Sequence, residues 1–270
     1  MQQVRLGVVS FLNTIPLIEG METVEGVTLS PQVPSTLIDS LLAEQVDIAL
    51  ASSIDYQRST EPLRILKVGV LSSDGPTRTV RLCSTRPIDQ IQKVYCDLDS
   101  HTSVALLQII MQDVYHKTIQ IETSEIREYK TVDDWPDAVL MIGDKVVSSK
   151  TPTHYPYELD LGEAWKELTG LPFVFACWMG KAQLETNVVH TVAMSLDRQL
   201  KRNKHRLEQL VSTSANQRGW EKPEALSYIQ ETIEYEWTNR HVESVKHFFD
   251  RAYAHGLIQT LRELQFYNWG

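Results

Sequence analysis

Three polar side chains that could bind a ligand directly follow an apolar run at the start of the chain. The run spans residues 4–9, and Ser10, Asn13 and Thr14 come after it. A continuous apolar run is typical of a buried parallel strand, and ligands of open α/β sheets lie just past the carboxyl ends of such strands. Ser10 and Thr14 also suit the cap of a helix that Pro16 would begin. We therefore expect a site at the end of this strand, with Asn13 as its main functional residue and Ser10 and Thr14 as substrate contacts or caps.

A second group of hydroxyls could hold a carboxylate. Ser100, Thr102 and Ser103 follow a strand-like segment and open an amphipathic helix. The free N–H groups and the positive dipole end of a helix N-terminus favour a negative charge. Ser and Thr also cap most helices, so simple capping is the alternative. The pattern predicts an anion-binding turn formed by these three residues.

Two further turns follow strand-like segments and could face the same site. Ser52 and Ser53 end one such segment, and either could point into the cleft; Ser53 is included as the substrate contact. Gly143 and Asp144 end another, where a glycine permits close approach of a ligand to the backbone. Asp144 could orient a donor in the cleft, although capping of the next segment is its ordinary role. We include Ser53, Gly143 and Asp144 among the substrate-binding residues.

The segment at residues 73–79 could bring a cation and a hydroxyl to the ligand. It contains Arg78 and Thr79 in a Gly-Pro turn just ahead of a strand. Arginine binds carboxylates through two parallel hydrogen bonds, which makes Arg78 a candidate substrate ligand. Arginine is equally common as an ordinary surface residue, so solvent exposure is the alternative.

Composition excludes several classes of function. The chain has 270 residues, 42% of them apolar, and a formal net charge of −9. A negative balance disfavours broad contact with nucleic acid or anionic lipid, and no apolar run reaches the length of a membrane span. The three cysteines lack C-x-x-C spacing, and the eight histidines lack the spacing of metal ligands, so we predict no metal site. The sequence also has no phosphate-binding or dinucleotide fingerprint, so we predict no cofactor. The first residues lack the pattern of a signal peptide, so we expect a cytoplasmic protein.

The order of elements predicts an α/β protein of two lobes. Strand-like and helix-like segments alternate up to about residue 178, and from Glu185 to Phe266 the pattern is almost wholly helical. The alternation in the first third predicts a parallel sheet with helices on its faces. We predict that residues 1–80 and 178–270 form the first lobe and residues 81–177 the second. Two connecting segments would form a hinge, and the ligand would lie in the cleft between the lobes. The aromatic residues of the helical region, Tyr228 among them, are interpreted as packing.

Five motifs together resemble a known family. They are residues 10–17 (Ser-Phe-Leu-Asn-Thr-Ile-Pro-Leu), 72–76 (Ser-Ser-Asp-Gly-Pro), 100–104 (Ser-His-Thr-Ser-Val), 142–144 (Ile-Gly-Asp) and 161–176 from Leu-Gly-Glu-Ala-Trp to Phe-Val-Phe-Ala. Their order and spacing are similar to those of the menaquinone-biosynthesis family of the futalosine pathway, over about residues 4–180. The branch it resembles most dehydrates chorismate. The sister branch, dihydroxynaphthoate synthase, typically has a Ser-Pro-Cys-Pro-Asn type motif that is absent here.

The resemblance implies a type II periplasmic-binding-protein fold used as an enzyme. Such an enzyme converts chorismate, a dianion, to 3-[(1-carboxyvinyl)oxy]benzoate and water without a cofactor. The family's polar site residues, an Asn in the opening motif and a hydroxyl after the Gly-Pro turn, fall on Asn13 and Thr79. The family more usually has Ser at the second position. None of the matched motifs holds an obvious side-chain base, which leaves a substrate carboxylate or a water as the proton acceptor.

Other functions stay open at this point. A divergent homologue could bind a small aromatic carboxylate without converting it, because the same fold serves binding proteins. The chain could also be the sister enzyme, which acts on a cyclic futalosine derivative. The aromatic helices after Glu185 could bury a partner surface, so a homodimer is possible.

Overall fold

The computed structural model describes residues 3–97, 100–124, 129, 131, 134–148 and 155–269. The strands of this part are β1 (Val4–Val8), β2 (Val27–Pro31), β3 (Ile48–Ser52), β4 (Leu63–Ser73), β5 (Val80–Ser84), β6 (Lys93–Asp97), β7 (Gln120–Ser124), β8 (Ala138–Ile142), β9 (Tyr157–Asp160) and β10 (Phe173–Lys181). The α-helices are α1 (Ile15–Ile18), α2 (Leu37–Leu42), α3 (Asp55–Arg58), α4 (His101–Asp113), α5 (Lys145–Ser148), α6 (Leu161–Thr169), α7 (Thr186–Lys204), α8 (Leu207–Ser214), α9 (Lys222–Ser227) and α10 (Asn239–Ala254). A π-helical turn, Tyr228–Thr232, follows α9 directly.

The strands form two separate five-stranded sheets. The first has the order β2-β1-β3-β10-β4, and the second has the order β7-β6-β8-β5-β9. The chain passes from the first sheet to the second between β4 and β5, and it returns between α6 and β10. Two connections between two sheets leave a cleft between them.

Both sheets are mixed, although β1, β2 and β3, the strands for which a parallel sheet was predicted, are parallel. In the first sheet β10 runs antiparallel to β3 and β4, and in the second β5 runs antiparallel to β8 and β9. The cause is topological. A strand that is preceded by a helix packed on the same sheet runs toward the cleft and ends there. The chain enters β5 and β10 from the other sheet, across the cleft, so these two strands begin at the cleft and run in the opposite direction.

The return to the first sheet comes earlier than residue 178, the boundary that the sequence suggested. Strand β10 pairs with β3 and β4 along its length, from Phe173 to Lys181. We therefore propose that the second lobe ends before Phe173 and that residues 173–177 belong to the first.

The end of the chain also differs from the sequence expectation. The helical region stops at Ala254 rather than at Phe266. Beyond it the chain crosses back to the first sheet, where Phe266 forms a bridge to Ile65. The backbone of Ile65 donates to Gln265 and accepts from Tyr267, so this segment extends the first sheet at its β4 edge.

The apolar residues of the first strand are buried as the sequence pattern predicts. Leu6 and Val8 of β1 are fully buried, as an apolar run predicts. Cys83, Cys96 and Cys177 are free and buried thiols, as expected. None of the described helices is both long and apolar enough to cross a membrane.

Candidate active site

A cavity lies in the cleft between the two sheets and encloses about 630 Å³ of empty space, part of it open to solvent. Its polar lining consists of side chains that carry an amide or a hydroxyl: Asn13, Ser52, Thr77, Thr79, Ser100 and Ser103. Its apolar lining includes Phe11, Leu50, Leu71, Ile142, Phe175 and Ile233. Among the described residues, no Lys, Arg, His, Asp or Glu lines it. The cavity therefore offers neutral hydrogen-bond donors to a ligand rather than charge.

Asn13 reaches the cavity from a short turn after β1. Residues Leu12–Thr14 form a 3-10 turn that leads into α1, where Pro16 stands in the first turn as predicted. Thr14 is fully buried, and its hydroxyl donates to the carbonyls of Val9 (2.7 Å) and Phe11 (2.8 Å). Thr14 therefore fixes the turn and does not line the cavity. The Asn13 amide Nδ2 donates to the hydroxyl of Tyr228 at 3.0 Å.

Thr79 reaches the same hydroxyl from the first crossover. Its Oγ1 lies 2.8 Å from the Tyr228 oxygen, and Thr79 is almost fully buried. Asp160, at the end of β9, holds the turn before it. The Asp160 carboxylate accepts from the backbone N–H groups of Thr77 (2.9 Å) and Arg78 (2.8 Å). Asp160 thus positions the Thr79 hydroxyl, although sequence reasoning did not single it out.

Arg78 and Ser10 do not line the cavity. Arg78 adopts a left-handed backbone conformation (φ 62°), and its guanidinium donates to the hydroxyl of Ser227. Ser10 is exposed, and its carbonyl accepts from Arg218 at 3.1 Å. Their roles as substrate contacts stay predictions without support from the cavity lining.

Gly162 makes room for the turn that carries Thr79. A Cβ atom at Gly162 would lie 2.6 Å from the carbonyl oxygen of Gly75 and would overlap Cγ2 of Thr77. The Gly162→Ala variant is expected to lose about 1–3 kcal/mol of unfolding free energy, because a backbone atom must move to relieve the overlap. Thermal denaturation measures this loss. The control is Glu163→Ala, an exposed change in the same turn of α6, which should stay within about 0.5 kcal/mol of wild type.

Ser100 and Ser103 line the cavity at the N-terminus of α4. Ser100 is the cap of this helix, and its Oγ accepts from the N–H of Ser103 at 3.2 Å. The Ser100 hydroxyl itself donates its hydrogen to Oγ of Ser103 at 2.9 Å. Ser103 is buried, and its hydroxyl hydrogen has no acceptor among the described residues. Of the two serines, Ser103 is therefore the one with a hydrogen left for a ligand.

Thr102 and Ser53 do not line the cavity, and the Thr102 hydroxyl at the start of α4 links the second lobe to Ser53 and Ile54 beside β3. The N–H of Ile54 donates to Thr102 Oγ1 at 3.2 Å, and Ser53 Oγ donates to the carbonyl of Val174 at 2.8 Å. The neighbour of Ser53, Ser52, lines the cavity in its place. The sequence thus predicted this turn and allowed either serine to face the cleft, and in the structure Ser52 is the one that lines the cavity.

Gly143 and Asp144 lie after β8, on the side of the cleft that the second sheet forms. Gly143 lines the cavity with a positive φ of 64°, and an added Cβ would lie 3.0 Å from the Phe11 ring. The Asp144 carboxylate accepts from the N–H of Leu12 at 3.0 Å and from Nε1 of Trp220 at 2.8 Å. Burial raises the pKa of Asp144, and these two donors oppose the rise. Asp144 therefore connects the turn after β8 to the turn after β1 and does not line the cavity.

Tyr228 is the functional candidate that sequence reasoning missed. It is buried, and its hydroxyl lies between Asn13 and Thr79. An aromatic residue in a helical region is ordinarily core, so no local pattern distinguished it. The π-helical turn that it begins is a rare feature that occurs often at functional sites, but it is not readable from the sequence.

The described residues contain no group of three or more His, Cys, Asp or Glu side chains that could hold a metal ion. The arrangement can instead bind an anionic ligand through neutral donors and a helix N-terminus.

Sequence comparison gives two findings. A profile described as menaquinone biosynthesis matches residues 4–254. A chorismate dehydratase of Thermus thermophilus is 27% identical over 192 residues, which are 64% of this chain and 68% of that protein.

Solved structures show the fold. A protein of Archaeoglobus fulgidus superposes with a TM-score of 0.78 at 16% identity and covers 95% of this chain and 98% of its own. The periplasmic aliphatic sulphonate binding protein of Escherichia coli has a TM-score of 0.67 at 16% identity, with coverage of 100% and 98%. A Candida albicans protein described as having the periplasmic binding protein fold also scores 0.67, at 11% identity, with coverage of 96% and 92%. These likenesses confirm the predicted two-lobed fold and the cleft between its lobes.

Proposed function

This chain belongs to the menaquinone-biosynthesis family, and from that premise we propose that it is a chorismate dehydratase. The observation that carries the proposal is the convergence of Asn13 and Thr79 on one point of a cavity lined by neutral donors. The chorismate dehydratase of Thermus thermophilus, similar over most of its length, supports the same reaction.

The proposed reaction is an elimination. Chorismate loses the hydrogen of ring carbon 3 as a proton and the substituent of carbon 4 as hydroxide, which together form water. The ring becomes aromatic in 3-[(1-carboxyvinyl)oxy]benzoate, so the reaction is strongly downhill and needs no redox partner. The ring carboxylate is conjugated with the breaking C–H bond and can spread the developing charge. The protein must hold a dianion, exclude water and guide one proton.

Asn13 and Thr79 have distinct roles in this proposal. Asn13 hydrogen-bonds the departing hydroxyl or fixes the substrate beside it, and Thr79 donates its hydroxyl hydrogen to the substrate. Because no ionisable side chain of the described residues lines the cavity, the proton acceptor is a substrate carboxylate or a water.

Ser103 is proposed to bind a substrate carboxylate at the N-terminus of α4. The Ser103→Ala variant is expected to raise KM about tenfold with little change in kcat, because the contact is equal in the ground and transition states. Steady-state kinetics measure both constants. The control is Ser195→Ala on α7, where the serine hydroxyl donates to the Thr191 carbonyl and has no other hydrogen-bond partner in the described part of the chain. Its KM should equal that of wild type. An unchanged KM in Ser103→Ala would remove this contact from the proposal.

The function is tested by incubating the protein with chorismate and following the product by mass spectrometry. The enolpyruvyl benzoate should accumulate as chorismate disappears, with no added metal or cofactor. Binding of chorismate without conversion would instead indicate a binding-only homologue. Conversion of a cyclic futalosine derivative, with chorismate left intact, would indicate the sister enzyme.

A further inference from the structure

Among the described residues, the hydroxyl of Tyr228 is the only group hydrogen-bonded to the side chains of both Asn13 and Thr79. It accepts from Asn13 Nδ2 at 3.0 Å and lies 2.8 Å from Thr79 Oγ1. Burial raises the pKa of Tyr228 far above its ordinary value, so the phenol keeps its hydrogen.

One arrangement of the hydrogens gives both the Tyr228 and the Thr79 hydroxyl an acceptor among the described residues. An amide nitrogen can only donate, so the Tyr228 oxygen accepts from Asn13. Either oxygen of the Tyr228–Thr79 pair could donate, and we assign the hydrogen to Tyr228 because Thr79 Oγ1 is the one acceptor within its reach among the described residues. Thr79 must direct its own hydrogen elsewhere, and its protein acceptor is the Thr77 carbonyl at a long 3.4 Å. A ligand atom in the cavity is a better acceptor for that hydrogen.

The Tyr228 ring is held by a chain of contacts that crosses the cleft. It stacks on Trp220 with ring centroids 4.8 Å apart and 15° between the ring planes. Trp220 donates to Asp144, which follows the second-sheet strand β8, and Asp144 in turn accepts from Leu12, which follows β1 of the first sheet. The tyrosine is therefore tied to both sheets at once.

We infer that Tyr228 is a positioning residue, which makes Thr79 a hydrogen donor to the substrate when the cleft is closed. The inference rests on the proposed dehydratase function and deepens it. Tyr228 does not line the cavity; it acts through Thr79, and the Asn13 amide holds its hydroxyl in place. Asp144 lies on the second sheet's side of the cleft, so it can hold Trp220, and through Trp220 the Tyr228 ring, only when the two sheets are together. The orientation of the Thr79 hydroxyl is therefore coupled to closure of the cleft.

The test is the Tyr228→Phe variant, which removes the hydroxyl and keeps the stacked ring. We expect kcat to fall about thirtyfold, with KM changed by less than about threefold, because the contact is with a group that acts in the transition state. The matched control is Tyr235→Phe. Tyr235 is also buried, but its hydroxyl has no hydrogen-bond partner among the described residues, so its removal should leave both constants unchanged. A wild-type kcat in Tyr228→Phe would overturn the inference and leave the dehydratase function standing.

A double variant separates positioning from general structural support. In a Thr79→Val background, Tyr228→Phe should lower kcat by less than about threefold, because the hydroxyl it orients is already gone. A full thirtyfold loss in both backgrounds would overturn the inference.

A measurement without substrate keeps the inference testable if the wild type fails to dehydrate chorismate. The side-chain amide resonance of Asn13 in a nitrogen–proton NMR spectrum, assigned by its loss in Asn13→Ala, should shift in Tyr228→Phe and not in Tyr235→Phe. An unmoved resonance contradicts the hydrogen-bond order, whereas failed conversion with a moved resonance contradicts only the proposed function.

Discussion

The Asn13→Ala variant is expected to lower kcat for chorismate dehydration by about a hundredfold, which corresponds to about 2.7 kcal/mol of transition-state stabilisation. The amide lies in a largely apolar cavity, where a hydrogen bond to developing charge is worth more than in water. Removing it also leaves the Tyr228 hydroxyl without its donor. Single-turnover kinetics with excess enzyme would measure the chemical step directly.

An asparagine outside the site provides the control. Asn203 is fully buried, and its amide donates to the carbonyls of Pro16 (3.1 Å) and Glu19 (2.8 Å). The Asn203→Ala variant should lower Tm by about 3 °C or more and leave kcat of the folded protein unchanged. Asn13→Ala should show the opposite pattern, with a large kinetic effect and a small change in Tm. Near-normal turnover in Asn13→Ala would refute its catalytic assignment.

The parts of the site that the sequence predicted are those that depend on local pattern. The apolar run before Asn13 produced a buried strand, and the proline after it produced the turn of α1. Ser100 caps α4 through its side chain, as hydroxyls at such positions do. The glycine of the Gly143 turn adopts a positive φ, which only a residue without Cβ adopts freely. Each of these outcomes is decided within a few residues.

The choice between Ser52 and Ser53 shows where local pattern stops being sufficient. Successive side chains of a strand point to opposite faces, so residues two apart share a face. Leu50 and Ser52 of β3 both line the cavity, and Ser53 turns to the carbonyl of Val174. The sequence placed both serines at the strand end, but the face toward the cavity depends on how β3 lies in its sheet.

Contacts between distant parts of the chain account for the rest. Asp144 was predicted to cap or to bind substrate, and it instead connects Leu12 with Trp220, residues far apart in sequence. Tyr228 reaches Asn13 only because the helices after β10 fold back over the first sheet. The reversed direction of β10 likewise follows from the path between the sheets. No periodicity or spacing within one segment encodes such a contact.

The Thr79→Val variant is expected to lower kcat about a hundredfold, because valine keeps the shape of threonine and lacks the hydroxyl that we propose donates to the substrate. Thr79→Ser is the matched comparison, since it restores the hydroxyl that the family more usually has at this position. Threonine is stiffer at χ1 than serine, but the Tyr228 hydroxyl at 2.8 Å and the turn held by Asp160 fix the oxygen from outside. Thr79→Ser should therefore keep kcat within about threefold of wild type. Equal losses in the two variants would show that the methyl group and its packing matter, and equal retention would show that the hydroxyl does not take part in the reaction.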